Sequence, residues 1–175
     1  MTTSSSIAVS SNRLAGRPSG SCAYARSAGA YTVYTDGGCR PTNPGPAGWG
    51  IIVVDGGTVI EEAGGFIGHG TNQIAELEAA IQGLRRTPEG ATVELVSDSE
   101  YVLKGLSEWR RGWEGRGWRT AAGKPVANKD RWQLLFALAD KRTVRTRWVK
   151  GHNGDAFNER ADGLATKAIT TREGA

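Results

Sequence analysis

Three consecutive strand patterns joined by short turns open the folding part of this chain, and they constrain its architecture most. Tyr31–Asp36 alternates in the manner of a half-buried strand, and the pair Gly37-Gly38 is expected to end that strand. Ala47–Val54 and Thr58–Phe66 carry strand patterns of their own, with Asp55–Gly57 as the hairpin turn between them. The sequence therefore predicts three antiparallel strands at the start of the domain.

Helical and strand patterns alternate in the remainder of the chain. Apolar residues recur at helical spacing from Ile74 to Leu84, and Thr71 or Asn72 is placed to cap the start of this helix. The later predicted elements are a strand over Thr92–Ser97, helices over Glu100–Leu106 and Arg131–Asp140, a strand over Thr143–Lys150, and a final amphipathic helix over Asp155–Thr171. The order βββαβααβα predicts an α/β fold with a mixed sheet and helices on its faces.

Length and composition predict one soluble globular domain. The chain has 175 residues, of which 38% are hydrophobic and 23% charged. Apolar runs such as Ile51–Val54 are far shorter than the roughly 18 to 20 residues of a membrane span. The two cysteines, Cys22 and Cys39, cannot build a disulfide framework or a cysteine-based zinc site. A reducing compartment, and hence a cytoplasmic location, is the expectation.

Residues 1–30 differ in composition from the rest of the chain. They are rich in serine, alanine and glycine, and they contain three arginines and no acidic residue. Such a segment buries too little apolar surface to offset the entropy of ordering it, so we expect a disordered tail before a folded domain at residues 31–175. The same composition is typical of a transit peptide, which leaves an organellar location as the alternative.

Acidic residues at strand ends indicate a metal site. Asp36 and Asp98 each stand at the end of a predicted strand, at the place where open α/β sheets bind ligands. Oxygen ligands favour Mg²⁺ over zinc, although each aspartate alone is also typical of a turn or helix cap. Asp162 flanks the apolar stripe of the final helix and could reach inward. Glu76 and Glu78 flank the stripe of the first helix on opposite sides, so periodicity does not choose between them.

Five motifs resemble type 1 ribonuclease H, in the same order and over about residues 30 to 171. They are YTDGG at 34–38, TNQIAEL at 71–77, SDSEYV at 97–102, KGHNG at 150–154 and NERAD at 158–162. The resemblance implies a ribonuclease H-like fold, with three antiparallel strands, then two parallel strands, and helices on both faces. It also implies an endonuclease that hydrolyses the RNA strand of an RNA/DNA hybrid.

The resemblance further implies a catalytic site of four carboxylates, which are Asp36, Glu76, Asp98 and Asp162. Glu76 is thereby chosen over Glu78, and Asp36 is the expected bridging ligand. Two Mg²⁺ ions, with Mn²⁺ as a substitute, would serve in-line hydrolysis that leaves 5′-phosphate and 3′-hydroxyl ends. His152, in the short segment between Gly151 and Gly154, is the expected mobile proton carrier or aid to product release.

A basic segment rich in tryptophan is the candidate surface for the hybrid. Lys104–Trp132 has eight basic residues, three acidic residues and four tryptophans, a composition that suits either a nucleic-acid backbone or a charged helix whose tryptophans pack on the domain. The resemblance favours binding, and it implies substrate contacts at Trp109, Arg110, Arg111, Trp113, Arg116, Trp118 and Arg119.

Smaller sets of polar residues are implied to distinguish the two strands of the hybrid. Asn43, Asn72 and Gln73 match positions that contact the ribose 2′ hydroxyls, and Thr71 and Asn128 match a pocket for a DNA phosphate. Two departures from the bacterial pattern bear on these contacts. The loop from Asp36 to Asn43 is one residue longer, and Glu100 replaces a glutamine and so cannot donate a hydrogen bond when ionised.

The expected partner is an RNA/DNA hybrid, bound by a monomer that needs neither a membrane nor an obligate protein partner. One alternative is a module that binds hybrids without cutting them, whose signature would be a missing carboxylate. Another is a different nuclease of the same fold, against which the basic segment and the loop around His152 argue.

Overall fold

The computed structural model describes residues 29–151 and 155–172. Most of the predicted tail and the predicted catalytic residue His152 lie outside these described residues. Within them, no helix is both long and apolar enough to cross a membrane.

Five strands form one mixed sheet. They are β1 (Ala30–Cys39), β2 (Gly45–Asp55), β3 (Thr58–Gly70), β4 (Thr92–Ser97) and β5 (Thr143–Trp148). Their order across the sheet is β3-β2-β1-β4-β5. The β1–β2 and β2–β3 pairs are antiparallel, whereas the β1–β4 and β4–β5 pairs are parallel. The predicted five-stranded mixed sheet is confirmed.

The helices follow the predicted order, with one difference in length. They are α1 (Asn72–Arg85), α2 (Glu100–Lys104), a π-helical turn (Gly105–Trp109), α3 (Arg110–Gly115), α4 (Lys129–Asp140) and α5 (Ala156–Thr171). The prediction that the helix starting at Glu100 ends near Leu106 is wrong, because the chain continues through the π-helical turn into α3. Close packing accompanies this turn, since a Cβ atom on Gly105 would overlap the indole ring of Trp132.

The prediction that Gly37-Gly38 ends the first strand is also wrong. Both glycines remain paired with β2, Gly37 opposite Trp49 and Gly38 opposite Gly48. A Cβ atom on Gly37 would overlap the carbonyl oxygen of Ala75 in α1, so this glycine allows a close helix–sheet contact and makes no turn. Asp36 therefore lies within β1, although the parallel pairing of β1 with β4 ends earlier, at Tyr34.

Helices cover both faces of the sheet. Successive β1 residues point to opposite faces, so Val33 joins the larger core cluster and Tyr34 joins the smaller one. The larger cluster includes buried residues of α1 and α4, and the smaller cluster includes Ala161 of α5. A Cβ atom on Gly50 of β2 would overlap the carbonyl oxygen of Ala161, so α5 lies almost directly on the strand backbone. This close packing places both α1 and α5 beside β1, the strand that carries Asp36.

Candidate active site

Four carboxylates from four separate elements line one pocket of about 340 Å³. Asp36 comes from β1, Glu76 from α1 and Asp162 from α5, while Asp98 follows the last residue of β4. The structure thus brings together all four acidic residues that the family resemblance selects. Glu78 points elsewhere, toward Gln82 and Arg131.

Asp36 has the most perturbed environment of the four. Burial raises the pKa of Asp36 to about 9, helped by a hydrogen bond with the Asp162 side chain and by the charges of Asp98 and Asp162. The backbone N–H of Gly37 acts in the opposite direction, because its hydrogen bond favours the ionised form. Among the described lining residues, four carboxylates share the pocket with one cationic side chain, Arg40, so acidic groups outnumber basic ones.

Glu76 is held by a serine that the sequence analysis overlooks. The hydroxyl of Ser99 donates a 2.6 Å hydrogen bond to Glu76 Oε2. Burial raises the pKa of Glu76, the Ser99 hydrogen bond lowers it, and the charge of Asp98 raises it. Ser99 also caps α2, since its hydroxyl accepts a hydrogen bond from the backbone N–H of Val102. A serine between a strand and a helix signals such a cap, but nothing local indicates its contact with Glu76.

Asp98 is packed against the end of β5 and the loop that follows. The indole N–H of Trp148 donates to the backbone carbonyl of Asp98 at 3.2 Å. A Cβ atom on Gly151 would lie 2.6 Å from Asp98 Oδ2, so a larger residue here would displace the Asp98 carboxylate. The loop that precedes His152 is consequently adjacent to a pocket carboxylate.

The donor set fits a hard divalent cation. Carboxylate oxygens are the ligands that Mg²⁺ prefers, and four of these side chains line the pocket. Among the described residues, no three or more histidine, cysteine or acidic side chains already stand in a metal-binding arrangement. Asp162 hydrogen-bonds to Asp36 and pairs with Arg40, so a metal must compete for this carboxylate, whereas Ser99 donates to only one oxygen of Glu76.

The raised pKa of Asp36 predicts how stability depends on pH without divalent cations. From about pH 4 to pH 9 the folded state binds more protons at Asp36 than the unfolded state does, so its contribution to stability falls as pH rises. Asp36→Asn mimics the protonated side chain and lacks this loss. In EDTA, the free energy of unfolding measured by urea denaturation should be higher for Asp36→Asn than for wild type, and the difference should grow toward pH 9. A difference independent of pH would contradict the prediction.

The loop after β1 is tied to the start of α1. The side-chain oxygen of Asn43 accepts a hydrogen bond from the backbone N–H of Asn72 at 3.1 Å, and that of Asn72 accepts from Cys39 N–H at 2.8 Å. Thr71 caps α1 by accepting from Ile74 N–H at 3.1 Å. The loop therefore places Asn43 beside Asn72.

Three further positions that the sequence singles out lie at helix starts. Asn128 caps α4 in a left-handed conformation, and its side-chain amide donates to the Tyr101 hydroxyl at 3.3 Å. Glu100 begins α2 and pairs with Lys104 at 3.2 Å, with its side chain 64% exposed. Gln73 lies exposed in the first turn of α1.

The tryptophans of the basic segment pack against one another. Trp113 is 8% exposed, and its ring lies 5.1 Å from that of Trp132 and 5.7 Å from that of Trp109. Trp118 contacts Trp113 and Phe136. Trp113 therefore lies in the core, with little exposed surface for the predicted substrate contact, while Trp109 and Trp118 are half-buried at the edge of this cluster.

The arginines of the same segment divide into two groups. Arg110 donates two hydrogen bonds to Asp140, at 2.5 and 2.7 Å, and one to Glu114 at 2.6 Å. Its charge is thus already matched, so the structure gives Arg110 a packing role that the local charge count did not indicate. Arg111, Arg116 and Arg119 are exposed, and the hydrogen bonds of Arg116 and Arg119 go to backbone carbonyls.

Comparison with known proteins places this chain in one family. The RNase H family model matches residues 28–170. Ribonuclease H of Polaromonas naphthalenivorans (strain CJ2) is 51% identical over 139 residues, which cover 78% of this chain and 85% of that protein. The chain belongs to the ribonuclease H family.

Two solved structures refine this assignment. LC9-RNase H1, described as a type 1 RNase H with the type 2 active-site motif, superposes with a TM-score of 0.75 at 26% identity, over 83% of this chain and 74% of its own. LC11-RNase H1, solved in complex with RNA/DNA hybrid, gives a TM-score of 0.60 at 27% identity, over 81% and 98% of the two chains. Within the family, the chain is a type 1 enzyme.

Proposed function

We propose that this enzyme is an endonuclease that cuts the RNA strand of RNA/DNA hybrids and leaves 5′-phosphate and 3′-hydroxyl ends. The observation that carries the proposal is the single pocket in which Asp36, Glu76, Asp98 and Asp162 meet with an excess of negative charge. LC11-RNase H1, with the same fold, binds such a hybrid. A monomer acting in the cytoplasm is part of the proposal.

The four carboxylates would hold two divalent cations, Mg²⁺ or Mn²⁺ in its place. These cations would supply the Lewis acidity that activates the attacking water and stabilises the leaving 3′ oxygen. The protein's part is to hold the ligands: Gly37 admits α1 beside β1, and Ser99 orients Glu76. Trp148 donates a hydrogen bond to the backbone carbonyl of Asp98, and Gly151 lies beside the Asp98 side chain. We assign His152 an auxiliary role in proton transfer or product release.

We further propose that the hybrid lies across the pocket and the basic segment. Arg111, Arg116 and Arg119 are the candidates for phosphate contacts, because they are exposed and not matched by the acidic groups that hold Arg110. Trp109 and Trp118 would support this surface. The 2′ hydroxyl contacts are assigned to Asn43, Asn72 and Gln73, and the DNA phosphate pocket to Thr71 and Asn128.

One cleavage assay tests the proposal. The protein is incubated with end-labelled RNA/DNA hybrid, duplex DNA and duplex RNA, each with Mg²⁺ and with EDTA. We expect cleavage of the RNA strand in the hybrid with Mg²⁺ alone, and we expect the products to be substrates for ligation without phosphatase or kinase treatment. Cleavage in EDTA, or equal cleavage of duplex DNA, would contradict the proposal.

The division among the arginines predicts the salt dependence of binding. Replacing Arg111, Arg116 and Arg119 together with alanine should weaken hybrid binding and flatten the plot of log Kd against log salt, by up to about 0.9 for each lost phosphate contact. Arg110→Ala serves as the control, because its guanidinium is occupied by Asp140 and Glu114. We expect that variant to lose stability and keep a slope close to wild type. An unchanged slope in the triple variant would place the hybrid elsewhere.

A further inference from the structure

Arg40 is the single cation among the described residues that line the four-carboxylate pocket. It lies in the loop after β1, where its backbone N–H donates to the carbonyl of Pro46 at 3.0 Å. Its guanidinium Nη2 lies 3.3 Å from Asp162 Oδ1, with side chains that are 55% and 28% exposed. The ion pair therefore links the end of β1 to α5 across the mouth of the pocket.

Asp162 is the point at which this ion pair meets the carboxylate cluster. The same side chain hydrogen-bonds to Asp36, so the charge of Arg40 acts on a residue that belongs to the cluster. A divalent cation that binds through Asp162 needs the carboxylate that Arg40 engages. Two positive groups that share one carboxylate oppose each other's binding, and the coupling between them is reciprocal.

We propose that Arg40 is an internal counter-ion that competes with a divalent cation for Asp162. It stabilises the metal-free pocket, and it weakens cation binding on the Asp162 side. Arg40 is thus a positioning residue that acts through Asp162. The inference rests on the proposed function, because it uses the assignment of Asp162 as a metal ligand.

A magnesium titration without nucleic acid tests this competition. MgCl₂ is titrated into the full-length protein, wild type and Arg40→Met, and binding is followed by calorimetry and by the rise in Tm. We expect Arg40→Met to have a lower Tm in EDTA, a larger rise in Tm with Mg²⁺, and a midpoint about two- to fivefold lower, the range for one partly exposed ion pair. Arg40→Lys retains the charge and should restore a midpoint close to wild type.

Arg160→Met is the matched control. Arg160 lies two residues before Asp162 on α5, is similarly exposed at 48%, and pairs with Glu62 outside the pocket. Its loss removes the same net charge as Arg40→Met but breaks no contact with the pocket. Arg160→Met should therefore leave the Mg²⁺ midpoint unchanged. In an Asp162→Asn background, Arg40→Met should no longer shift the midpoint, because the shared carboxylate is gone.

Three results would overturn the inference. They are an unchanged midpoint in Arg40→Met, an equal shift in Arg160→Met, and the lack of any Mg²⁺ binding by wild type. Hybrid cleavage by wild type is assayed separately. If wild type cleaves the hybrid with Mg²⁺ and the midpoints coincide, the inference fails and the proposed function stands. If wild type binds Mg²⁺ and does not cleave, the proposed function fails and the midpoints still decide the role of Arg40.

Discussion

Asp98→Asn is expected to reduce Mg²⁺-dependent cleavage by about three orders of magnitude or more while leaving hybrid affinity nearly unchanged. The substitution removes a charged ligand, and the charge stabilisation supplied by a catalytic metal is worth several kcal/mol, or about 10³-fold in rate. The backbone carbonyl that accepts from Trp148 stays in place, and the exposed arginines are untouched. Single-turnover cleavage and equilibrium binding of the same hybrid measure the two effects.

Stability in EDTA should be equal to wild type or higher in this variant. The charge of Asp98 raises the pKa of both Asp36 and Glu76, so its removal relieves repulsion within the pocket. Asp55→Asn is the control, because Asp55 lies in β2 opposite Tyr31, at the other end of the sheet from Asp36. Near-normal cleavage by Asp98→Asn would contradict the assignment of Asp98 as a metal ligand.

Gly37→Ala is expected to destabilise the protein by about 3 kcal/mol, or roughly 10 °C in Tm, because it forces atoms into an already packed contact. The added methyl group would overlap the carbonyl oxygen of Ala75 and lie 2.7 Å from the backbone nitrogen of Glu76. Relief of this overlap requires α1 to move away from β1. Glu76 would move with the helix and away from Asp36, so kcat should fall even at a temperature at which the variant is fully folded.

Gly38→Ala provides a closely matched comparison. A methyl group on Gly38 meets only the Asn72 side-chain oxygen, at 3.6 Å, which is an ordinary contact. We therefore expect little change in Tm or kcat from this variant. Thermal unfolding and cleavage of the two alanine variants, measured together, separate a general intolerance of the strand from the specific helix contact. Equal behaviour of the two variants would refute the role assigned to Gly37.

The order of the elements was predictable, because each strand and helix carries its own hydrophobic period. Positions that depend on contacts between distant elements were not. Glu76 and Glu78 flank the apolar stripe of α1 symmetrically, and only the placement of α1 on β1 decides which of them enters the pocket. Gly37-Gly38 suggested a turn because glycine is common there, whereas a close helix contact requires the same residue.

Local sequence patterns also did not predict which charged side chains pair with each other. Arg110 belongs to a basic segment by composition, yet its partner Asp140 lies 30 residues away at the end of α4. The contacts of Ser99 with Glu76 and of Arg40 with Asp162 also join residues that are distant in sequence. The family resemblance supplied the four carboxylates, but the residues that hold them in place emerge only from the folded chain.

The position of α5 at the end of the domain determines when the pocket becomes complete. Asp36 is among the first residues of the domain to be synthesised, and Asp162 among the last, on the helix that rests against Gly50. Until α5 has been made and packs against the sheet, the pocket lacks one of its four carboxylates. Assembly of the complete site therefore depends on the last helix of the domain.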